Sequence, residues 1–182
     1  MKTYISLLRG INVSGQKKIL MKDLKILYES LKLNNVTTYL QSGNVLFESK
    51  EPDHKKISAS IEKKIKEDYS YDVSVLVLNP QSLFKTINNN PFLNKHGEPA
   101  AKLYVTFLYE FPSDNRIQNL LSMVMPGKDE FSIGDKEIYI VCPDGYGRSK
   151  LSNNFFENKL KVRATTRNWK TVNALYDLAV KR

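Results

Sequence analysis

Val36-Thr37-Thr38-Tyr39-Leu40-Gln41-Ser42-Gly43-Asn44-Val45-Leu46-Phe47 decides how the chain folds. Two strand-like runs, Val36 to Leu40 and Val45 to Phe47, flank Ser42-Gly43, and a serine–glycine pair in that place reads as a hairpin turn. Working back toward the N-terminus, Met21, Leu24, Leu27, Tyr28 and Leu31 recur at helical spacing. A polar, glycine-bearing loop, Arg9 to Lys18, and a short apolar strand, TYISLL at 3–8, precede that helix. Working forward, Ile57, Ile61 and Ile65 mark one face of a helix from His54 to Tyr69, with Glu62 and Lys66 at i,i+4. A strand from Val73 to Leu78 follows, closed by Asn79-Pro80. The order is βαββαβ, the ferredoxin-like unit.

The second half begins a similar order. Leu103 to Leu108 reads as a strand, and Ile117, Leu120, Leu121 and Val124 as a helix capped by Ser113 or Asp114. Phe131 to Ile133 and Ile138 to Cys142 flank Gly134-Asp135, a second hairpin signal. A glycine-rich loop, Pro143 to Lys150, leads to a helix over 151–160, and a last helix is expected over 166–181 with Trp169, Val172, Tyr176 and Ala179 as its apolar stripe. The expected fold is α+β: a ferredoxin-like unit at 1–80, a connecting helix and linker at 81–101, and a second βαββα unit with a C-terminal helix at 102–182. No residue-level repeat links the halves.

Strand alternation assigns faces. Ile5 and Leu7, Val45 and Phe47, and Val73, Val75 and Val77 are expected under the helices. The other face, with Tyr4, Ser6, Leu8, Asn44, Leu46, Glu48, Ser74, Leu76 and Leu78, is only half polar, so the second half or another chain is expected to cover part of it. An RNA-binding sheet face would stack bases on aromatics of its first and third strands. Tyr4 suits the first, but Asn44 and Leu46 stand on the third, which counts against that use.

Of 182 residues, 41% are hydrophobic and 26% charged, which excludes a disordered tail, a collagen and a coiled coil. No apolar run approaches the roughly 18 residues of a membrane span, and the stretch before Arg9 is too short for a secretory signal. The single Cys142 leaves no internal disulfide. The expectation is a cytoplasmic globular protein with no membrane partner. The net charge is +9, distributed as +5 over residues 1–25, −3 over 26–144 and +7 over 145–182. Such an uneven field favours anionic partners. Lysine and asparagine abundance also follows from an AT-rich genome, but arginine, at six residues, is the rarer choice and suits phosphate.

Two groups of residues follow from this. The βαββαβ order puts the loop after the first strand and the 42–44 turn at one end, gathering Arg9, Asn12, Ser42 and Asn44 near a helix start, where anions are favoured. The bland alternative is that the amides and the hydroxyl only satisfy turn backbone and that Arg9 makes a structural salt bridge. The second group is Arg148, Ser149 and Lys150 in the glycine-rich loop, with Thr166, Arg167 and Asn168 where the last helix is expected to start. The loop has neither P-loop nor dinucleotide-fold spacing. A cation in a first helical turn is unusual, so Arg167 calls for a carboxylate or a shared anion. Trp169 reads as core. Two dispersed histidines, His54 and His96, and one cysteine give no metal spacing, and no cofactor motif is present.

Leu7-Leu8-Arg9-Gly10-Ile11-Asn12-Val13 and Thr38-Tyr39-Leu40-Gln41-Ser42-Gly43-Asn44-Val45, with Met21 and Leu24 between them, resemble the bacterial family called domain of unknown function 1697. Gly147-Arg148-Ser149-Lys150-Leu151 and Ala164-Thr165-Thr166-Arg167-Asn168-Trp169-Lys170-Thr171 are similar to its late motifs. Ser14 stands where that family commonly has glycine. The resemblance implies a two-part α+β fold in a bacterial cytosolic protein and no established activity. The residues therefore carry the functional expectation: an anionic, phosphate-bearing ligand, with nucleic acid among the candidates. Two alternatives stay open, an enzyme on a phosphorylated metabolite or nucleotide with Asp144 or a tyrosine as proton carrier, and a protein–protein module. If the second half follows the first, residues 143–150 and 161–166 lie at opposite ends of a helix, which leaves open one site or two.

Overall fold

A computed structural model describes residues 1–13, 15–93, 100–123 and 127–182; Ser14, His96, Val124 and the end of the expected linker through Pro99 lie outside these described residues. They form two compact units, residues 1–84 with 174–182 and residues 85–173. Among the described residues there are two four-stranded antiparallel sheets and six α-helices. No helix among them is long and apolar enough to cross a membrane.

The first unit holds β1 (Lys2–Leu8), α1 (Met21–Ser30), β2 (Asn34–Tyr39), β3 (Asn44–Ser49), α2 (His54–Tyr69) and β4 (Val75–Leu78), with strand order β2-β3-β1-β4. Asp53 starts α2 by accepting from the Lys55 and Lys56 amides, and Ser70 ends it in the left-handed conformation. Ile57, Ile61 and Ile65 of α2 and Leu24, Leu27 and Tyr28 of α1 bury one face of each helix on the sheet. α3 (Pro80–Asn88) follows β4.

The register corrects one expected face. Tyr4 pairs with Phe47 and Ile5 with Leu46, so Tyr4, Ser6 and Leu8, not Ile5 and Leu7, lie under the helices. Tyr4 stacks on Phe47 at 5.9 Å between centroids and meets the His54 ring edge at 5.2 Å. Ser6 is buried there because the Tyr28 hydroxyl satisfies it at 2.8 Å. The assignments on β3 and β4 hold, with Val45, Phe47, Val75 and Val77 in the same core. Ile5, Leu7 and Leu46 on the opposite face are buried as well.

The second unit holds β5 (Leu103–Leu108), α4 (Asp114–Leu121), β6 (Glu130–Ile133), β7 (Glu137–Val141), α5 (Asn153–Leu160) and β8 (Ala164–Asn168). Its strand order, β6-β7-β5-β8, matches that of the first unit. β8 is a second correction: Thr166, Arg167 and Asn168 end a strand paired to β5, and α6 (Trp169–Val180) starts directly after it. Thr165 and Thr166 are β-branched and favour this extended pairing. The unit is therefore βαββαβ followed by a helix, not βαββα. Ser113 occupies the N-cap of α4 without a side-chain hydrogen bond, whereas Ser152 caps α5 through the Phe155 amide.

Candidate functional sites at the two loop ends

In the first unit, residues 9–20 between β1 and α1 meet the β2–β3 turn, as the topology requires. The Leu8 amide donates to the Gly43 carbonyl at 2.8 Å. The Asn12 side chain joins the two loops. Its Nδ2 donates to the carbonyls of Ile19 at 2.9 Å and Gln41 at 3.0 Å, and its Oδ1 accepts from the Ile19 amide at 2.9 Å. Asn12 has φ 55°, a conformation asparagine tolerates. Gly43 is required where it stands: φ is +75°, and a Cβ would lie 2.8 Å from Ile11 Cδ1 and from Leu8 Cβ. Buried Asn44 donates to the Tyr39 carbonyl at 2.8 Å and to Ser42 Oγ at 3.0 Å. Asn12, Ser42 and Asn44 thus come together, and these bonds shape the loops. Arg9 is half-buried beside them, its amide on the Ser74 carbonyl at 2.9 Å. Lys17 reaches the Asp72 carbonyl, while Lys18 and Lys22 are exposed.

In the second unit, β5 pairs antiparallel with both β7 and β8, Leu103 opposite Val141 and Tyr104 opposite Asn168. The loop leaving β7 and the end of β8 therefore share one end. The missed strand is what separated these segments in the sequence reading; residues 161–163 do lie at the far end of α5, but β8 carries the chain back. Tyr146 pins the glycine-rich loop there. Its ring stacks on Tyr104 at 4.9 Å between centroids, and its hydroxyl lies 3.1 Å from Thr166 Oγ1. Thr166 Oγ1 is also 2.6 Å from Asn153 Oδ1 and 2.6 Å from Thr106 Oγ1. A hydroxyl has one proton and two lone pairs. Thr166 donates to the Asn153 carbonyl oxygen, which cannot donate, and accepts from Tyr146 and Thr106. Lys102 fixes the loop's beginning by donating to the Pro143 carbonyl.

Around this hub, Arg148, Lys150 and Lys170 are exposed and Ser149 is half-buried, its Oγ accepting from the Leu151 amide at 2.9 Å. Asn168 caps α6, accepting from the Lys170 amide at 2.9 Å. Arg167 lies on the opposite sheet face at 7% exposure, Nη1 donating to Thr165 Oγ1 at 2.8 Å and to the Thr166 carbonyl at 2.9 Å. Burial lowers its pKa to about 10, so it stays charged at neutral pH. Being in a strand, it raises no conflict with a helix dipole. Trp169 is buried.

Other candidate groups are chemically quiet. Cys142 is buried, and burial pushes its thiol up against a smaller opposing hydrogen bond from Ser149. The Tyr139 phenol is also pushed up, first by burial and then by Glu137; its hydroxyl is 3.0 Å from both Glu137 Oε1 and the Thr86 carbonyl. Asp144 is exposed in the glycine-rich loop. Among the described residues, no cluster of three His, Cys, Asp or Glu could hold a metal ion. A cleft of about 570 Å³ in the first unit is lined by Lys25, Glu29, Glu48 and Arg182 with Asn35, Val36 and Thr37, so its charges balance. Tyr104, Thr106, Tyr146 and Asn153 were missed by the sequence reading. Their signal was alternation on β5, which puts Tyr104 and Thr106 on one face, but it needed β8 beside it.

These features define a two-unit α+β protein with a pinned, basic loop end. The chain belongs to the family described as Protein of unknown function (DUF1697), which matches residues 1–139. That match takes in the Arg9 loop and the 38–45 hairpin but stops before the Gly147 and Ala164 motifs. A solved structure, that of conserved bacterial protein SP0830 from Streptococcus pneumoniae, is similar over 97% of this chain and 98% of that one, with a TM-score of 0.75 and 19% identity. At that identity the likeness is one of fold, and it extends past residue 139. No curated protein matches the chain.

Proposed function

We propose that this protein binds a phosphate-bearing or otherwise anionic ligand, nucleic acid among the candidates, at the end of the second unit formed by residues 143–150 and the junction of β8 and α6. The observation that carries the reading is the Tyr146–Thr166 bond of 3.1 Å, which ties a glycine-bearing loop to β8 while Arg148 and Lys150 stay exposed. A pinned loop loses little freedom when it grips a ligand. Exposed Arg148 offers a planar fork of donors, and Lys150 and Lys170 add mobile point charges. Arg167, Asn168 and Thr166 act behind this surface as positioning residues, since the bonds described above tie them to groups of the protein itself. Arg148, Lys150 and Lys170 outweigh the exposed Asp144 at this end, and that local excess favours approach of an anion.

The test is a titration of the full chain with inorganic pyrophosphate, followed by backbone amide shifts. The expected result is saturable change at residues 144–150 and 168–170. Shifts spread over the lysines of the whole chain, or centred elsewhere, would overturn the assignment.

A further inference from the structure

Three exposed aliphatic residues in the first unit share one end. Val13 is 56% exposed, Leu20 60% and Leu40 55%. The Asn12 amide gathers them: Val13 follows Asn12, Leu20 follows Ile19, and Leu40 precedes Gln41, and Asn12 bonds both Ile19 and Gln41. Local structure disfavours two of the three. Leu20 holds the N-cap of α1, where a small polar residue would serve, and makes no side-chain cap bond. Leu40 has φ 58°, a left-handed conformation strained for leucine. Folding gains nothing from an exposed leucine at either place, which directs attention to a use outside the chain.

The occupant follows from the surrounding charge. Lys18 and Lys22 are exposed on either side of Leu20, with Arg9 and Lys17 half-buried at the same end. The acidic groups there include Asp23, half-buried in the first turn of α1, Asp72, held by Lys66 at 2.8 Å, and half-buried Glu62, which accepts from the Val75 amide opposite Leu8 at 2.7 Å. We propose that this end docks reversibly on an anionic lipid surface, with Val13, Leu20 and Leu40 entering the headgroup boundary and Lys18 and Lys22 over the headgroups. Aliphatic tips beside lysines suit a lipid surface. Protein interfaces favour aromatics, methionine and arginine and are depleted in lysine. A second copy would set like charges against each other. The expectation of no membrane partner rested on the missing span, which surface docking does not need. The proposal stands apart from the ligand site of the second unit.

The test is flotation of the full chain with phosphatidylcholine vesicles, with and without phosphatidylserine. The wild type is expected to float with phosphatidylserine vesicles, to release at high salt, and to stay behind with phosphatidylcholine alone. Leu20→Ser with Leu40→Asn supplies the missing cap and relieves the backbone, so the melting temperature should hold or rise while vesicle affinity falls at least tenfold. Lys18→Glu with Lys22→Glu should abolish the phosphatidylserine preference. The proposal is overturned if the wild type binds no vesicle, if either double variant floats as well as the wild type, or if the tip instead forms a dimer that Leu20→Ser with Leu40→Asn dissolves.

Discussion

The two units share a strand order and elaborate opposite ends of it. Residues 9–20 join β1 to α1, while only 109–113 make the equivalent connection in the second unit. Residues 142–152 join β7 to α5, while only 50–53 do so in the first. Each long connection is fastened back to the sheet, but by different chemistry. Asn12 bonds backbone groups of Ile19 and Gln41, so its grip is indifferent to the side chains it meets. Thr166 bonds the side chains of Tyr146, Asn153 and Thr106, so its grip depends on all of them. One frame thus carries two separately built surfaces, as expected where rigid elements position variable loops.

Glycine substitutions should break the comparison most sharply. Gly43→Ala drives a Cβ into Ile11 and Leu8 at a positive φ, whereas Gly145, also at positive φ, has nothing within 4 Å of the added atom. The first should cost about 3 kcal/mol, by strain plus overpacking, and the second about 1 kcal/mol, by strain alone. Urea denaturation of the two variants checks the ratio, and equal losses would mean that the first loop is not packed as described.

The two fasteners give a smaller contrast. Asn12→Ala removes three hydrogen bonds and an asparagine suited to its left-handed backbone, and should cost about 2 kcal/mol. Thr166→Val keeps the shape but removes the hub, and should cost about 1 kcal/mol. Amide hydrogen exchange should then rise across residues 9–20 in the first variant and 143–150 in the second. Exchange that rises in the other unit's loop would contradict their independence.

The first unit was legible because each element carried its own signal. Hairpin turns, isoleucines at helical spacing and Asn79-Pro80 left one order. The face of β1 was not legible, because TYISLL is apolar on both sides and only the pairing of Tyr4 with Phe47 decides it. β8 was hidden for another reason. Ala164 to Asn168 offers no large apolar residue, and the Trp169 stripe starts immediately after it, so nothing in the helical period marks where the strand ends. Two threonines in succession were the available clue. That one error also split the second site, since Tyr146 meets Thr166 only if the chain returns along β5. Proximity at the first site was read correctly from topology, but periodicity cannot say whether an amide faces a ligand or its own backbone.

The most direct test of the ligand-binding claim is the salt dependence of single-stranded oligonucleotide binding by the wild type and by Arg148→Ala with Lys150→Ala. Two lost phosphate contacts should weaken affinity at low salt and reduce the slope of log K against log salt by about 1.4. An unchanged affinity and slope would contradict the account.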